Sequence, residues 1–142
     1  MTMKKDTFSK IVYGDFIKNL NLKELKMISV NTTLDESFVP PANLKITDDA
    51  KYENLDEKQL KIIVHYHLEA LKKDTEKSGL TIDVTYSLMY SSDMPMIDDF
   101  FKIYRQSSLR IQTWPYFRQL VHQLTLDMHL PPLVLDTIKA PV

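Results

Sequence analysis

The chain has 142 residues, 44% hydrophobic and 26% charged, with no cysteine and two glycines; that is one globular domain's worth of chain, and it excludes a disulfide framework. Eighteen basic residues against nineteen acidic ones give a formal charge of −1, and with no basic stripe nucleic acid is not an expected partner. No segment approaches the roughly 18 apolar residues of a membrane span and no apolar run follows Lys4-Lys5, so a single cytoplasmic domain over residues 1–142, without membrane contact, is expected.

Phe8, Ile11, Val12, Phe16 and Leu20 recur at helical spacing and predict a short helix, although Ile11, Tyr13 and Ile17 also fit one face of a strand. Leu20 to Val30 reads as extended around Leu22, Leu25, Met27 and Ile28, and its broken alternation calls for a bulge. Asn31 to Val39 reads as a loop, and Pro40-Pro41 excludes helix ahead of a weaker strand from Asn43 to Tyr52 and a turn at Asn54 to Glu57. The strongest strand signals follow. Leu60, Ile62, Val64, Tyr66, Leu68 and Ala70 alternate with Lys61, Ile63, His65, His67 and Glu69; then Leu80, Ile82, Val84, Tyr86, Leu88 and Tyr90 alternate with Thr81, Asp83, Thr85, Ser87 and Met89. The charged stretch Lys72 to Gly79 between them predicts a hairpin.

After Tyr90 the period changes. Asp93 is expected to cap a short helix with Pro95 near its first turn and Ile97, Phe100, Phe101 and Tyr104 on one side. A second helix carries Ile111, Trp114, Phe117, Leu120, Val121, Leu124 and Met128 as a stripe, and Pro115 either sets its start or kinks it. Pro131-Pro132 ends it, leaving Leu133 to Val142 extended. Four strands followed by helices, with a long link between the first two strands, predict an α+β fold in which helices cover one face of an antiparallel sheet.

His65, His67 and Glu69 share one strand face, a pattern that fits either a polar sheet surface or a zinc site with His122 or His129 as a distant fourth ligand. A pocket for a small ligand near His65, His67 and Tyr66 belongs to the same alternative. Asp48-Asp49 and Asp98-Asp99 are adjacent pairs whose side chains diverge, which is not the geometry of an acid–base pair. There is no G-x-S-x-G, no glycine-rich phosphate loop and no cysteine nucleophile, so no catalytic residue, metal or cofactor is assigned and the chain is not expected to be an enzyme. Met89, Tyr90, Met94, Met96, Phe100 and Phe101 cluster at the strand-to-helix passage, as core or as an adaptable apolar binding surface.

The sequence Trp114-Pro115-Tyr116-Phe117-Arg118, its helix, and Leu130-Pro131-Pro132-Leu133-Val134-Leu135 together resemble the SecB family of export chaperones. Lys23-Glu24-Leu25 and Pro41-Ala42-Asn43-Leu44-Lys45-Ile46 add to the likeness, which runs over roughly residues 18–140. The resemblance implies a four-stranded antiparallel Greek-key sheet backed by a long helix, and an ATP-independent holdase that assembles as a homotetramer, a dimer of dimers, and wraps unfolded polypeptide in apolar grooves. Carried over to this chain, the groove comprises Leu44 and Ile46 most directly, then Trp114 and Phe117, with Met94, Phe100 and Phe101 from the apolar cluster. SecB proteins continue past the equivalent of Val142 into a further helix and are strongly acidic where they dock the export motor SecA; here the charge is −1, with Glu24 and Asp83 as the matching acidic positions. These departures favour a SecB-like chaperone dedicated to the C-terminal segment of an antitoxin in a toxin–antitoxin system over a general export chaperone delivering clients to SecA.

Overall fold

Strict alternation in two central strands needs an apolar layer on one side and water on the other. The computed structural model, which describes residues 12–40, 43–72, 75, 77–131 and 135, supplies both. A helix α1 over residues 12–18 precedes strands β1 (Asn21–Leu34), β2 (Asn43–Asn54), β3 (Gln59–Leu71) and β4 (Ser78–Ser91). Then come helix α2 (Asp98–Tyr104), a π-helical turn (Arg105–Leu109) and helix α3 (Arg110–Asp127). The sheet order is β1-β4-β3-β2 with every neighbouring pair antiparallel, the Greek-key arrangement of three successive strands and a fourth joined by a crossover.

The even-numbered positions of β3 from Leu60 to Ala70 and of β4 from Leu80 to Tyr90 are all buried. They pack with Phe16 from α1, Phe100 and Tyr104 from α2, Leu109, and Trp114, Phe117 and Val121 from α3 in one core. Burying each such side chain contributes about 1.5–3 kcal/mol. Hydroxyl groups drawn into that layer need partners, and α3 provides them for Tyr66, Tyr90 and Tyr104. Tyr66 Oη lies 2.6 Å from Thr113 Oγ1, which donates in turn to the Leu109 carbonyl, while Gln112 Oε1 accepts from the Tyr90 and Tyr104 hydroxyls at 2.7 and 2.9 Å.

The crossover between β1 and β2 runs over the end of the sheet that carries the β3–β4 hairpin, because Leu34 pairs with Leu80 and Asn43 with Leu71. It is tied down at three points: the Asp35 N–H donates to the Gly79 carbonyl, the Asp35 carboxylate meets Lys72 Nζ at 2.5 Å, and Phe38 is buried against Gly79.

Several sequence expectations are corrected. The segment Asn31 to Leu34, expected in a loop, continues β1: on an edge strand polar side chains face water at no cost, and Thr32 Oγ1 donates to the Thr81 carbonyl. Two bulges, at Leu22/Glu24 and Met27/Ser29, account for the broken alternation. Asp93 does not cap a helix. The chain bends at Asp93 and Met94, where Ser92 Oγ bonds Met94, and runs on without regular structure past Met96, whose N–H and carbonyl are both bonded by the Asn54 amide at 2.9 Å; α2 begins only at Asp98, with Asp98 and Asp99 in its first turn. The two expected helices form one helical path through the π-turn, and Pro115 lies inside α3 rather than at its start. The expected first helix is present over 12–18, while Phe8 and Ile11 lie outside the described residues, as does the tail from Leu133 to Val142 except for Leu135, which is buried.

Candidate functional site

Register with β3 puts Leu44, Ile46, Asp48, Ala50 and Tyr52 of β2 on the helix side of the sheet, opposite Ala70, Leu68, Tyr66, Val64 and Ile62. Among the described residues, the hydrogen bonds, ion pairs and ring contacts from the helices fall on the second half of this row. Tyr52 packs its ring on Phe101 at 4.9 Å and donates to Asp98 at 2.5 Å, a bond to a carboxylate that pushes the Tyr52 hydroxyl up to about 12. Asp48 receives Arg105 Nη2 on its carboxylate at 3.4 Å and on its backbone carbonyl at 3.2 Å, and Arg110 Nε at 3.3 Å. Toward the start of the strand the row opens: Leu44 is 38% exposed and Ile46 half-buried.

The seven residues assigned to a groove from the sequence therefore divide into three sets. Leu44 and Ile46 form an accessible apolar edge, and Phe101 and Met94 are half-buried. Phe100, Trp114 and Phe117 are buried, at 4%, 7% and 0% exposure. Phe117 stacks on Tyr66 at 4.6 Å, Trp114 meets the same ring edge-on at 5.9 Å, and Phe100 stacks on Phe16 at 5.1 Å. These large rings fill the space between sheet and helices, so they shape the wall behind the edge instead of presenting it to a ligand.

The other sheet face is polar. His65 Nε2 and His67 Nδ1 approach the same atom, Asp83 Oδ1, at 3.1 and 2.7 Å, and Glu69 is hydrogen-bonded by Ser78 Oγ, which lowers the Glu69 carboxyl. Sequence reasoning placed His65, His67 and Glu69 together correctly and missed Asp83, which the β3–β4 register sets directly opposite His67. His122 and His129 belong to α3 and its end, on the opposite side of the sheet, and among the described residues no group of three or more His, Cys, Asp or Glu is arranged to hold a metal ion. The sequence marked Leu22, Met27 and Ile28 as apolar positions of β1 but not that they and Val30 are exposed, because bulges scramble the alternation that would assign them a face. Among the described residues no helix is long and apolar enough to cross a membrane.

A Greek-key antiparallel sheet with one long helical arm laid across a single face is a SecB-like α+β fold. Among solved structures the chain is similar to the SecB-like chaperone of Mycobacterium tuberculosis, determined in complex with a ChAD peptide from the HigA1 antitoxin. The TM-score is 0.75 at 18% identity, over 92% of this chain and 99% of that one. A Streptococcus agalactiae protein of unknown function gives a TM-score of 0.44 at 11% identity, over 82% of this chain and 96% of that one. No family model and no curated protein matches the sequence. The resemblance read from the C-terminal third of the sequence is thus borne out at the level of the fold.

Proposed function

We propose that this chain is an ATP-independent holdase, dedicated to the exposed C-terminal segment of an antitoxin, which it shields from aggregation in the cytoplasm as a homotetramer. The observation that carries this reading is the apolar start of β2, where Leu44 is exposed and Ile46 half-buried on the face whose β3 and β4 positions are all buried. The shared fold with a chaperone that binds an antitoxin peptide supports it.

Holding is burial, and it makes or breaks no covalent bond. Each apolar side chain that a client seats contributes about 1.5–3 kcal/mol, while ordering a disordered segment costs about 2–5 kcal/mol. One face therefore holds a segment weakly, and several equivalent faces on one oligomer raise the avidity without new kinds of contact. The Asp48–Arg105–Arg110 cluster closes one end of the apolar edge and keeps β2 in place while a client occupies the other end.

The test is a titration of a fluorescent peptide copying the antitoxin's C-terminal segment. Leu44→Asp should weaken binding at least tenfold with circular dichroism and Tm unchanged, Ile46→Asp should weaken it as much with a lowered Tm because Ile46 packs against the core, and unaltered affinity in both would remove β2 from the site.

A further inference from the structure

Five residues along an α-helix turn a side chain about 140° away from where it started. Arg105 and Arg110 stand five apart and nevertheless meet the same residue, because the π-helical turn Arg105–Leu109 widens the helix until positions five apart lie one turn above each other. Arg105 Nη2 lies 3.4 Å from Asp48 Oδ1, and Arg110 Nε lies 3.3 Å from Asp48 Oδ2. Two guanidiniums thus share one carboxylate. Asp49, its side chain 85% exposed to water, comes only within 3.9 Å of Arg105 and forms no ion pair with Arg110. Arg110 is itself 48% exposed and spends Nε alone on Asp48; among the described residues nothing takes its two Nη groups. Asp48 follows Leu44 and Ile46 in the same row of β2, so this unmatched positive charge stands at the end of the apolar edge, about 7 Å beyond Ile46 at the rise of an extended strand.

We propose that Arg110, with Arg105, binds the side-chain carboxylate of an acidic residue in the client segment held at Leu44 and Ile46, and so selects which apolar segments the chain holds. The proposal rests on the holdase reading and gives it a sequence rule. Side chains on one face of an extended segment recur at every second residue, so the acidic residue stands two positions from the apolar residue seated at Ile46 and four from the one seated at Leu44, whichever way the segment runs. A carboxylate accepts two parallel N–H groups from the guanidinium fork, whereas a lysine at that position meets like charge. A second copy docked about a two-fold axis lays this same patch against itself and sets arginines toward arginines, while a client supplies the carboxylate that the row lacks.

The experiment titrates three fluorescent peptides, blocked at both ends so that no terminal carboxylate competes, with the pattern Leu-Ser-Leu-Ser-X and X as Glu, Gln or Lys. They are offered to wild type, Arg110→Gln, Arg110→Glu and Leu44→Asp, with oligomer mass measured by light scattering. Wild type should bind the Glu peptide about threefold to tenfold more tightly than the Gln peptide, as for a charge-assisted contact at a half-exposed site, and the gap should narrow as salt is raised. Arg110→Gln should erase the gap and leave affinity for the Gln peptide unchanged. Arg110→Glu should turn the preference toward Lys; if it fails to fold beside Asp48, Arg110→Gln alone decides. Equal binding of all three peptides by wild type, lost in Leu44→Asp, overturns this proposal and spares the holdase. A preference for Glu that survives Arg110→Gln puts the carboxylate elsewhere, and a changed mass in Arg110→Gln gives the charge to an interface between copies; either overturns it. No binding of any peptide by wild type sinks both readings.

Discussion

Phe38 lies where a methyl group at position 79 would have to be, so Gly79 is required for space and not for its backbone angles, as neither glycine has a positive φ. Gly79→Ala should cost about 1–3 kcal/mol, the range for overpacking, read as a lower urea midpoint; Phe38→Ala in the same background should recover part of the loss, and an additive double variant would contradict the contact. Tyr52 offers a test by pH. Its hydroxyl is raised from the ordinary 10 to about 12 by its bond to Asp98, so the folded state favours the neutral phenol. The stabilisation is complete below pH 10 and is lost as pH rises from 10 through 12. Tyr52→Phe should flatten that part of the stability–pH curve, and an unchanged slope would show that the bond does not persist in solution. Asp35 has the opposite sign: the hydrogen bond from Lys72, then those from Ser37, hold its carboxyl well below the usual range. What it contributes is present above the normal carboxylate pKa and fades only in strong acid.

The central strands were legible from sequence because each has one face pressed on helices and one toward water, which writes period two into β3 and β4. The edge strands carry weaker signals: β1 is exposed on most of its length and bulged twice, and β2 has Asp48 on the very face that the pattern reserves for apolar residues. The pairing of Asp48 with Arg105 and Arg110 is a tertiary fact that no local pattern announces. It joins the strand to the helical arm at the first residue of the π-turn and the first of α3, so Asp48→Asn should destabilise the fold by about 1–2 kcal/mol, discounted from a buried pair because the carboxylate is 24% exposed. Hydrogen exchange in α2 should quicken with it; equal protection would mean that the arginines hold nothing. Pro115 read as either the start of the helix or a kink in it, because it lacks the N–H that the Ile111 carbonyl would receive; the edge-on contact of Trp114 and the stacking of Phe117 on Tyr66 accompany a helix that runs past it. Pro115→Ala should then raise Tm, since it restores that bond and leaves the stack alone, and a lower Tm would show that the proline shapes the arm.

At the level of the whole molecule, one sheet face is committed to the core, and the exposed Leu44 beside the half-buried Ile46 at the start of β2 is the edge proposed to meet a client. How much of this was readable follows from the same division. Motifs around Trp114 and Leu130 pointed to the right fold, but an aromatic residue in a helical stripe looks the same in sequence whether it faces a groove or the core, and only the packing shows Phe117 to be fully buried. An exposed apolar edge on one strand, repeated across an oligomer, is a means of holding unfolded chain, and it needs no fuel. The direct measurement is light scattering from an antitoxin refolding out of denaturant, and from a chemically denatured model enzyme beside it, with the wild-type chain added at equimolar ratio in the absence of nucleotide. Suppression of antitoxin aggregation by the wild type, lost in Leu44→Asp at unchanged Tm, is the expected result. Aggregation that proceeds unchecked with the wild type, or is checked equally by a folded Leu44→Asp, would contradict it.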